Sequence, residues 1–292
     1  MSTSRKPRLN KVPLYGEVEH LSPLIRRVTA RNASPFTGTG TGSHIIGHGE
    51  IAVLDPGPAN DAHVAALLDA TRGERIAAIL ITHTHRDHSP GARALSEATG
   101  APVIGCAQVT AIPDGSGGEA FDRDYAPTHV LADGETIEGP GWHMEAIATP
   151  GHASNHLAYA LLQERALFTG DHVMGWATSV VAPPDGDMAH YMASLARLQA
   201  RDDLVYHPTH GDPVTEPQRL VRGLALHRRQ REASIVALLA ERPASVRALV
   251  GSMYAGTDLR LHGAAGMSVL AHLIALERQG GVRREGDSWA LA

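Results

Sequence analysis

Cysteine is nearly absent from this chain, with Cys106 the only one among 292 residues. One thiol can form neither an intrachain disulfide nor a thiolate cluster for a metal, and cytoplasmic residence is the expectation that follows. Cys106 closes the apolar stretch Pro102-Val103-Ile104-Gly105, where a buried strand-end thiol is expected. Lysine is almost as scarce: both lysines, Lys6 and Lys11, lie in the first eleven residues. That excludes a P-loop lysine, a Schiff-base lysine and an S-x-x-K nucleophile pair. Aromatic residues make up only 4% of the chain, and no base-stacking platform is visible. No run approaches the roughly 18 apolar residues of a membrane helix, so no bilayer span is expected. Arg5, Lys6, Arg8 and Lys11 are followed by no apolar segment of the secretory kind, so residues 1–19 read as a flexible basic tail. Chemistry must therefore come from histidine, aspartate, glutamate and a bound ion.

What is present is ordinary for a globular protein: 43% hydrophobic and 20% charged residues. The length suits two domains better than one. Charge divides unevenly. Residues 1–214 hold 15 basic and 24 acidic side chains, a net of −9, whereas residues 215–292 hold 11 arginines and 7 acids, a net of +4. A basic module thus follows an acidic body, with expected domains at 20–215 and 216–292.

Apolar periodicity gives a coarse element map. Val53-Leu54 runs as a strand into the turn Asp55-Pro56-Gly57-Pro58, residues 62–71 have helical spacing, and Ile76 to Ile81 is a buried strand, an order that implies a sheet covered by helices. Thr128 to Glu138, with Asp133-Gly134 at its centre, reads as a hairpin. Strands are expected at 144–148, 157–162, 166–169 and 204–206, and Asp187 is placed to cap a helix through Ala200. An Arg-rich helix should run from Pro217 to about Glu241, where Arg242-Pro243 stops it. Two shorter helices and a hairpin over 282–291 follow, a pattern similar to a winged helix. The Gly/Ser stretch 114–118 and the Pro/Gly turn 182–186 read as mobile loops.

The most informative stretch is Thr82-His83-Thr84-His85-Arg86-Asp87-His88, directly after the buried strand. Residues i and i+2 of an extended segment point the same way, so His83 and His85 can share an ion while Asp87 and His88 serve an adjacent one. Imidazole nitrogen mixed with carboxylate oxygen suits a transition metal, zinc above all. Three later segments, Thr149-Pro150-Gly151-His152, Phe168-Thr169-Gly170-Asp171 and His207-Pro208-Thr209-His210-Gly211, each set a potential ligand beside a glycine at a strand end.

Together with Asp55, these segments resemble the five sequence motifs of the metallo-β-lactamase superfamily in order and approximate spacing, over about residues 20–215. The resemblance implies an αββα sandwich with the site at one edge. It puts His83, His85 and His152 on one metal ion and Asp87, His88 and His210 on a second, with Asp171 bridging. Asp55 would steady a ligand rather than bind metal. Two zinc ions per chain are expected, with manganese or iron as alternatives, and a hydroxide shared by the two ions would be the nucleophile, with Asp87 orienting it and accepting the proton lost by the parent water. Trp176, in the loop after Asp171, lines the substrate pocket or is simply a buried aromatic. His156, His172 and His207 adjoin the motifs without matching a ligand position and read as supporting or surface residues.

The branch is narrowed by departures. Asp171 is a ligand that β-lactamases proper generally lack, and the 38 residues between Asp171 and His210 leave no room for the extra domain of the RNA-processing β-CASP branch. The glutathione-binding residues of glyoxalase II proteins have no match. Over the whole chain, the resemblance is best to the β-lactamase-like protein 2 group, which adds a winged-helix-like C-terminal domain. That resemblance implies hydrolysis of single-stranded RNA, with the basic module drawn to the phosphate backbone. The alternative is a small thioester, ester or lactone as substrate, as in glyoxalase II. An iron-dependent redox enzyme and a non-catalytic nucleic-acid-binding protein are the remaining readings, and a homodimer contact or a solvated helix face is the plainer use of the basic module.

Overall fold

The computed structural model describes residues 12–109 and 121–292, so the loop expected at 114–118 lies outside the described residues. The described residues divide into two compact units. The first comprises those of Met1–Thr149, Asn155–Thr178 and Asp202–Pro217, and the second Pro150–Ser154, Ser179–Arg201 and Gln218–Ala292.

Two sheets make the first unit. One runs β1 (Val18–His20), β2 (Ile25–Thr29), β3 (Gly42–His48), β4 (Glu50–Leu54), β5 (Arg75–Ile81), β6 (Val103–Gly105) and β7 (His129–Val130) in spatial as in chain order. Its first four strands pair antiparallel and the rest parallel. The parallel strands need crossovers, supplied between β4 and β5 by α1 (Asp61–Ala70) and between β5 and β6 by α2 (Gly91–Thr99). Asn60 caps α1 by accepting the His63 amide proton. The second sheet has the order β12 (Val205–Pro208), β11 (Ala166–Gly170), β10 (Leu157–Leu161), β9 (Trp142–Ala148), β8 (Thr136–Gly139), with only β11 and β12 parallel.

One buried cluster joins the two sheets and their helices: Ile45, Ile79 and Leu80 are buried with Met144, Tyr159 and Phe168, and with Leu67 and Leu95 of the two helices. β5 reads as an almost unbroken apolar run because a parallel strand covered on both faces has no solvated side. Each such side chain contributes roughly 1.5–3 kcal/mol by leaving water. Tyr159 also donates its hydroxyl to the Ile81 carbonyl at 2.8 Å, fixing the end of β5 where the histidine-rich loop departs.

Two expectations are corrected. Thr128 to Glu138 is no hairpin: β7 pairs parallel with β6 in the first sheet, while β8 pairs with β9 in the second. The Asp133-Gly134 turn is real, but it carries the chain between sheets. Gly134 N–H donates to the Ala146 carbonyl at 2.8 Å, and the Asp133 carboxylate accepts from the Ala148 amide at 2.8 Å. The tail expected over 1–19 also ends earlier, since Gly16 N–H donates to the Thr29 carbonyl and β1 begins at Val18.

The second unit contains α3 (Met188–Gln199), α4 (Pro217–Glu241), α5 (Val246–Met253) and α6 (His262–Arg278), with a small sheet of β13 (Ala244–Ser245), β15 (Ser288–Leu291) and β14 (Val282–Glu285). Asp187 caps α3 as expected, accepting from the His190 amide at 2.9 Å, and α4 ends at Glu241 ahead of Pro243. The turn at 182–186 is closed by Gly186 N–H donating to the Ala182 carbonyl. Leu259–Arg278 has a mean hydropathy of 1.3 and is long and apolar enough to match a membrane span by composition. Its Val269, Leu273 and Leu276 are buried with Ile235, Leu249 and Trp289 in this unit's core.

Candidate metal centre

A buried carboxylate organises the loops at one end of the sandwich. Asp55 follows β4 with a left-handed backbone (φ 48°), a conformation Asp tolerates better than most residues. Its carboxylate accepts from the Thr82 amide and hydroxyl, both at 2.8 Å, from His88 Nδ1 at 2.9 Å and from the Thr209 hydroxyl at 3.1 Å. One side chain just beyond β4 thereby ties down the loop after β5 and the loop after β12. Each engaged Nδ1 leaves the opposite ring nitrogen facing inward: His88 Nδ1 donates to Asp55, and His210 Nδ1 donates to the Gly40 carbonyl at 3.1 Å.

The inward nitrogens meet two carboxylates. His88 Nε2 lies 3.7 Å from Asp87 Oδ2 and 3.5 Å from Asp171 Oδ1, and His210 Nε2 lies 3.1 and 3.3 Å from the same two oxygens. Both Nε2 atoms are buried and make no hydrogen bond among the described residues. Ligands bonded to one tetrahedral ion at about 2.0–2.2 Å stand about 3.4 Å apart, so these separations fit a cation at the centre. His83, His88 and Asp171 form a second group of this kind, with ligand atoms within 4.8 Å of one another. His83 Nε2 and His85 Nδ1 are 2.9 Å apart, and the ring of Phe121 packs on His85 at 4.5 Å.

Electrostatics agree with that fit. Burial alone disfavours charge on His88 and His210, yet the facing carboxylates prevail, holding His88 well above its ordinary value and raising His210 to about 10. Burial likewise disfavours ionised Asp87 and Asp171, and the two histidines hold both well below the ordinary carboxylate range. A buried carboxylate and a partly buried one here demand positive charge, which protons on His88 and His210 supply and a divalent ion would supply better.

Asp171 is positioned by a residue whose role the sequence does not reveal. His156 Nδ1 donates to the Thr149 hydroxyl at 2.8 Å, so its Nε2 accepts the Asp171 amide proton at 3.2 Å. A Cβ on Gly170 would fall 2.5 Å from that Nε2, which explains the glycine before Asp171 and is the one signal that could have singled His156 out. His207 and His172 are buried beside the motifs, not exposed. Trp176 lies in the same unit as His210, with its indole 3.0 Å from where a Cβ would stand on Gly38 or on Gly211. His152 belongs to the second unit, where its Nδ1 donates to the Val180 carbonyl at 2.6 Å.

The profile of the metallo-β-lactamase superfamily matches residues 39–210, and that of the β-lactamase-associated winged helix domain matches residues 245–289. Among curated proteins, the atrochrysone carboxyl ACP thioesterase AgnL7 of Paecilomyces divaricatus is 30% identical over 78% of this chain and 68% of its own. The lactamase-like protein adaB of Aspergillus niger is 30% identical over 84% of this chain and 73% of its own. Among solved structures, a β-lactamase domain protein from Burkholderia ambifaria superposes with a TM-score of 0.80 at 20% identity, covering 97% of this chain and 96% of that one. The Thermus thermophilus protein TTHA1429 gives 0.77 at 23% identity over 94% and 100%. With its larger part matched by the family profile and two curated relatives at 30% identity, the chain belongs to the metallo-β-lactamase superfamily of hydrolases and carries that family's associated winged helix.

Proposed function

We propose that this protein is a metal-dependent thioesterase that hydrolyses an acyl thioester carried on an acyl carrier protein or its pantetheine arm. The observation that carries this reading is the run of carrier-protein thioesterases, 27–30% identical over about four-fifths of the chain, among its relatives. Single-stranded RNA, favoured on the sequence alone, becomes the second reading. It rests on the winged helix and on the +4 charge of residues 215–292.

In this proposal His83, His85 and His152 would hold one zinc ion and Asp87, His88 and His210 a second, with Asp171 available to both; manganese or iron are the alternatives. Two such ions, when bound, would lower the pKa of water toward neutrality and stabilise negative charge developing on a carbonyl oxygen. Asp87, with a side chain 28% exposed against 10% for Asp171, is the carboxylate open to substrate, and it orients the attacking water and accepts its proton. Asp55 and His156 keep His88 and Asp171 in place without touching substrate. Trp176 lines the entrance and packs against the acyl chain. The thiolate is a good leaving group and needs no strong general acid.

The test is thiol release from an acyl-pantetheine thioester by the zinc-loaded protein beside an Asp171→Asn variant, with end-labelled RNA in parallel. Thioester turnover at least 100-fold above the variant is expected. RNA cleavage lost in the variant, with no thioester turnover, would overturn the reading in favour of the second.

A further inference from the structure

Arg228, on α4, is only 3% exposed, and an arginine so buried needs partners of its own. Its Nη2 donates to the Ser179 carbonyl, and its guanidinium carbon stands 5.0 Å from the centre of the Tyr191 ring. Both contacts lead to His152. Ser179 adjoins Val180, whose carbonyl accepts from His152 Nδ1 at 2.6 Å. Tyr191, on α3, lies so close to Gly151 that a Cβ there would come within 2.3 Å of its Cα. The 150–154 loop is held further by the Asp187 amide on the Gly151 carbonyl at 2.9 Å, the Ser194 hydroxyl on the Pro150 carbonyl at 2.8 Å, and the Asp185 carboxylate on the Ser154 amide at 2.8 Å. One guanidinium thus ties together the two segments that grip this loop.

We infer that Arg228 is a positioning residue for the metal centre: it fixes the Ser179–Val180 peptide, and through the adjoining Val180 carbonyl the rotation of the His152 ring. A carbonyl only accepts, so His152 Nδ1 carries the proton and Nε2 offers its lone pair, the tautomer a ligand requires. A planar cation that donates to a carbonyl while stacking on a ring is a task lysine performs poorly, because an ammonium neither stacks nor forks. The α4 helix is in this way part of the machinery and not only a support for the winged helix. The inference rests on the metal reading above.

Cobalt titration of the metal-free full chain tests it, following visible absorption and bound metal per chain in wild type, Arg228→Met, Arg228→Lys, His152→Ala and Leu224→Ala. Arg228→Met should weaken the cobalt held by His152 by about 10-fold or more and move the spectrum toward that of His152→Ala. Arg228→Lys should fall between it and wild type. Leu224, 5% exposed on the same helix, controls for general loosening, and its variant should lose stability yet bind cobalt like wild type. Arg228→Met with wild-type affinity and spectrum, or an equal loss in Leu224→Ala, overturns the inference alone. A wild type that takes up no cobalt overturns the metal reading and the inference together.

Discussion

At the scale of single residues, the site is built from polar side chains that buried hydrogen bonds hold on one side, as Asp55 holds His88 and the Gly40 carbonyl holds His210. Asp55 shows why such a residue cannot be exchanged even for its amide. It is fully buried and accepts four hydrogen bonds, all from donors. In Asp55→Asn one oxygen becomes a donor facing donors, which leaves buried groups unpaired at about 1–3 kcal/mol each and releases the His88 ring. The expected result is a 10- to 100-fold loss of metal affinity, read by competition with a chelating dye, with the variant still folded by circular dichroism. Unchanged affinity would mean that His88 does not depend on Asp55 for its orientation.

At the scale of elements, what the sequence makes legible is whatever depends on neighbours in the chain. The run Ile76 to Ile81, the cap at Asp187 and the stop at Pro243 are local, and each lies where periodicity and capping place it. The Asp133-Gly134 turn is equally local, but the destination of the strands beside it is not. His129-Val130 pairs with Ile104-Gly105, more than twenty residues away, and hydrogen bonds of that span leave no periodic trace. His156 is obscure for the same reason: it lies just before β10 and accepts the Asp171 amide proton beyond the end of β11, a contact across the fold rather than a spacing. The capping claim can be checked directly. Asp187 accepts from the His190 amide and pairs with Arg278. Asp187→Ala should therefore cost about 1–2 kcal/mol, most of it from the lost cap, and Asp187→Asn should restore most of that loss in urea unfolding.

At the scale of the whole molecule, buried histidines of two kinds set how stability responds to pH. Burial depresses His63, His207 and His227 to about 4 and His272 to about 3. These groups sit below their unfolded value of about 6.5, so the stability they contribute is present above that pH and is lost as pH falls toward 4. His210 has the opposite sign in the metal-free protein: raised to about 10 by Asp171 and Asp87 against the effect of burial, it stabilises fully below about 6.5 and ceases to as pH rises through 10. Metal-free protein should therefore be most stable near pH 6–7 and weaken on both sides. Bound zinc, taking over the charge that His210 and His88 supply, should flatten the alkaline side only. Thermal unfolding from pH 4 to 10 with and without zinc reads this, and a metal-free protein that keeps gaining stability toward pH 9 would contradict it.

The converging histidines and aspartates are proposed to form a hydrolytic metal centre acting on thioesters. The most direct measurement is thioester turnover during stepwise return of zinc to the chelated protein, with bound metal counted at each step. Negligible turnover is expected without metal, followed by a rise that levels off at about two ions per chain, in keeping with a binuclear site. Turnover that persists in thoroughly chelated protein, or that is indifferent to added zinc, would contradict it.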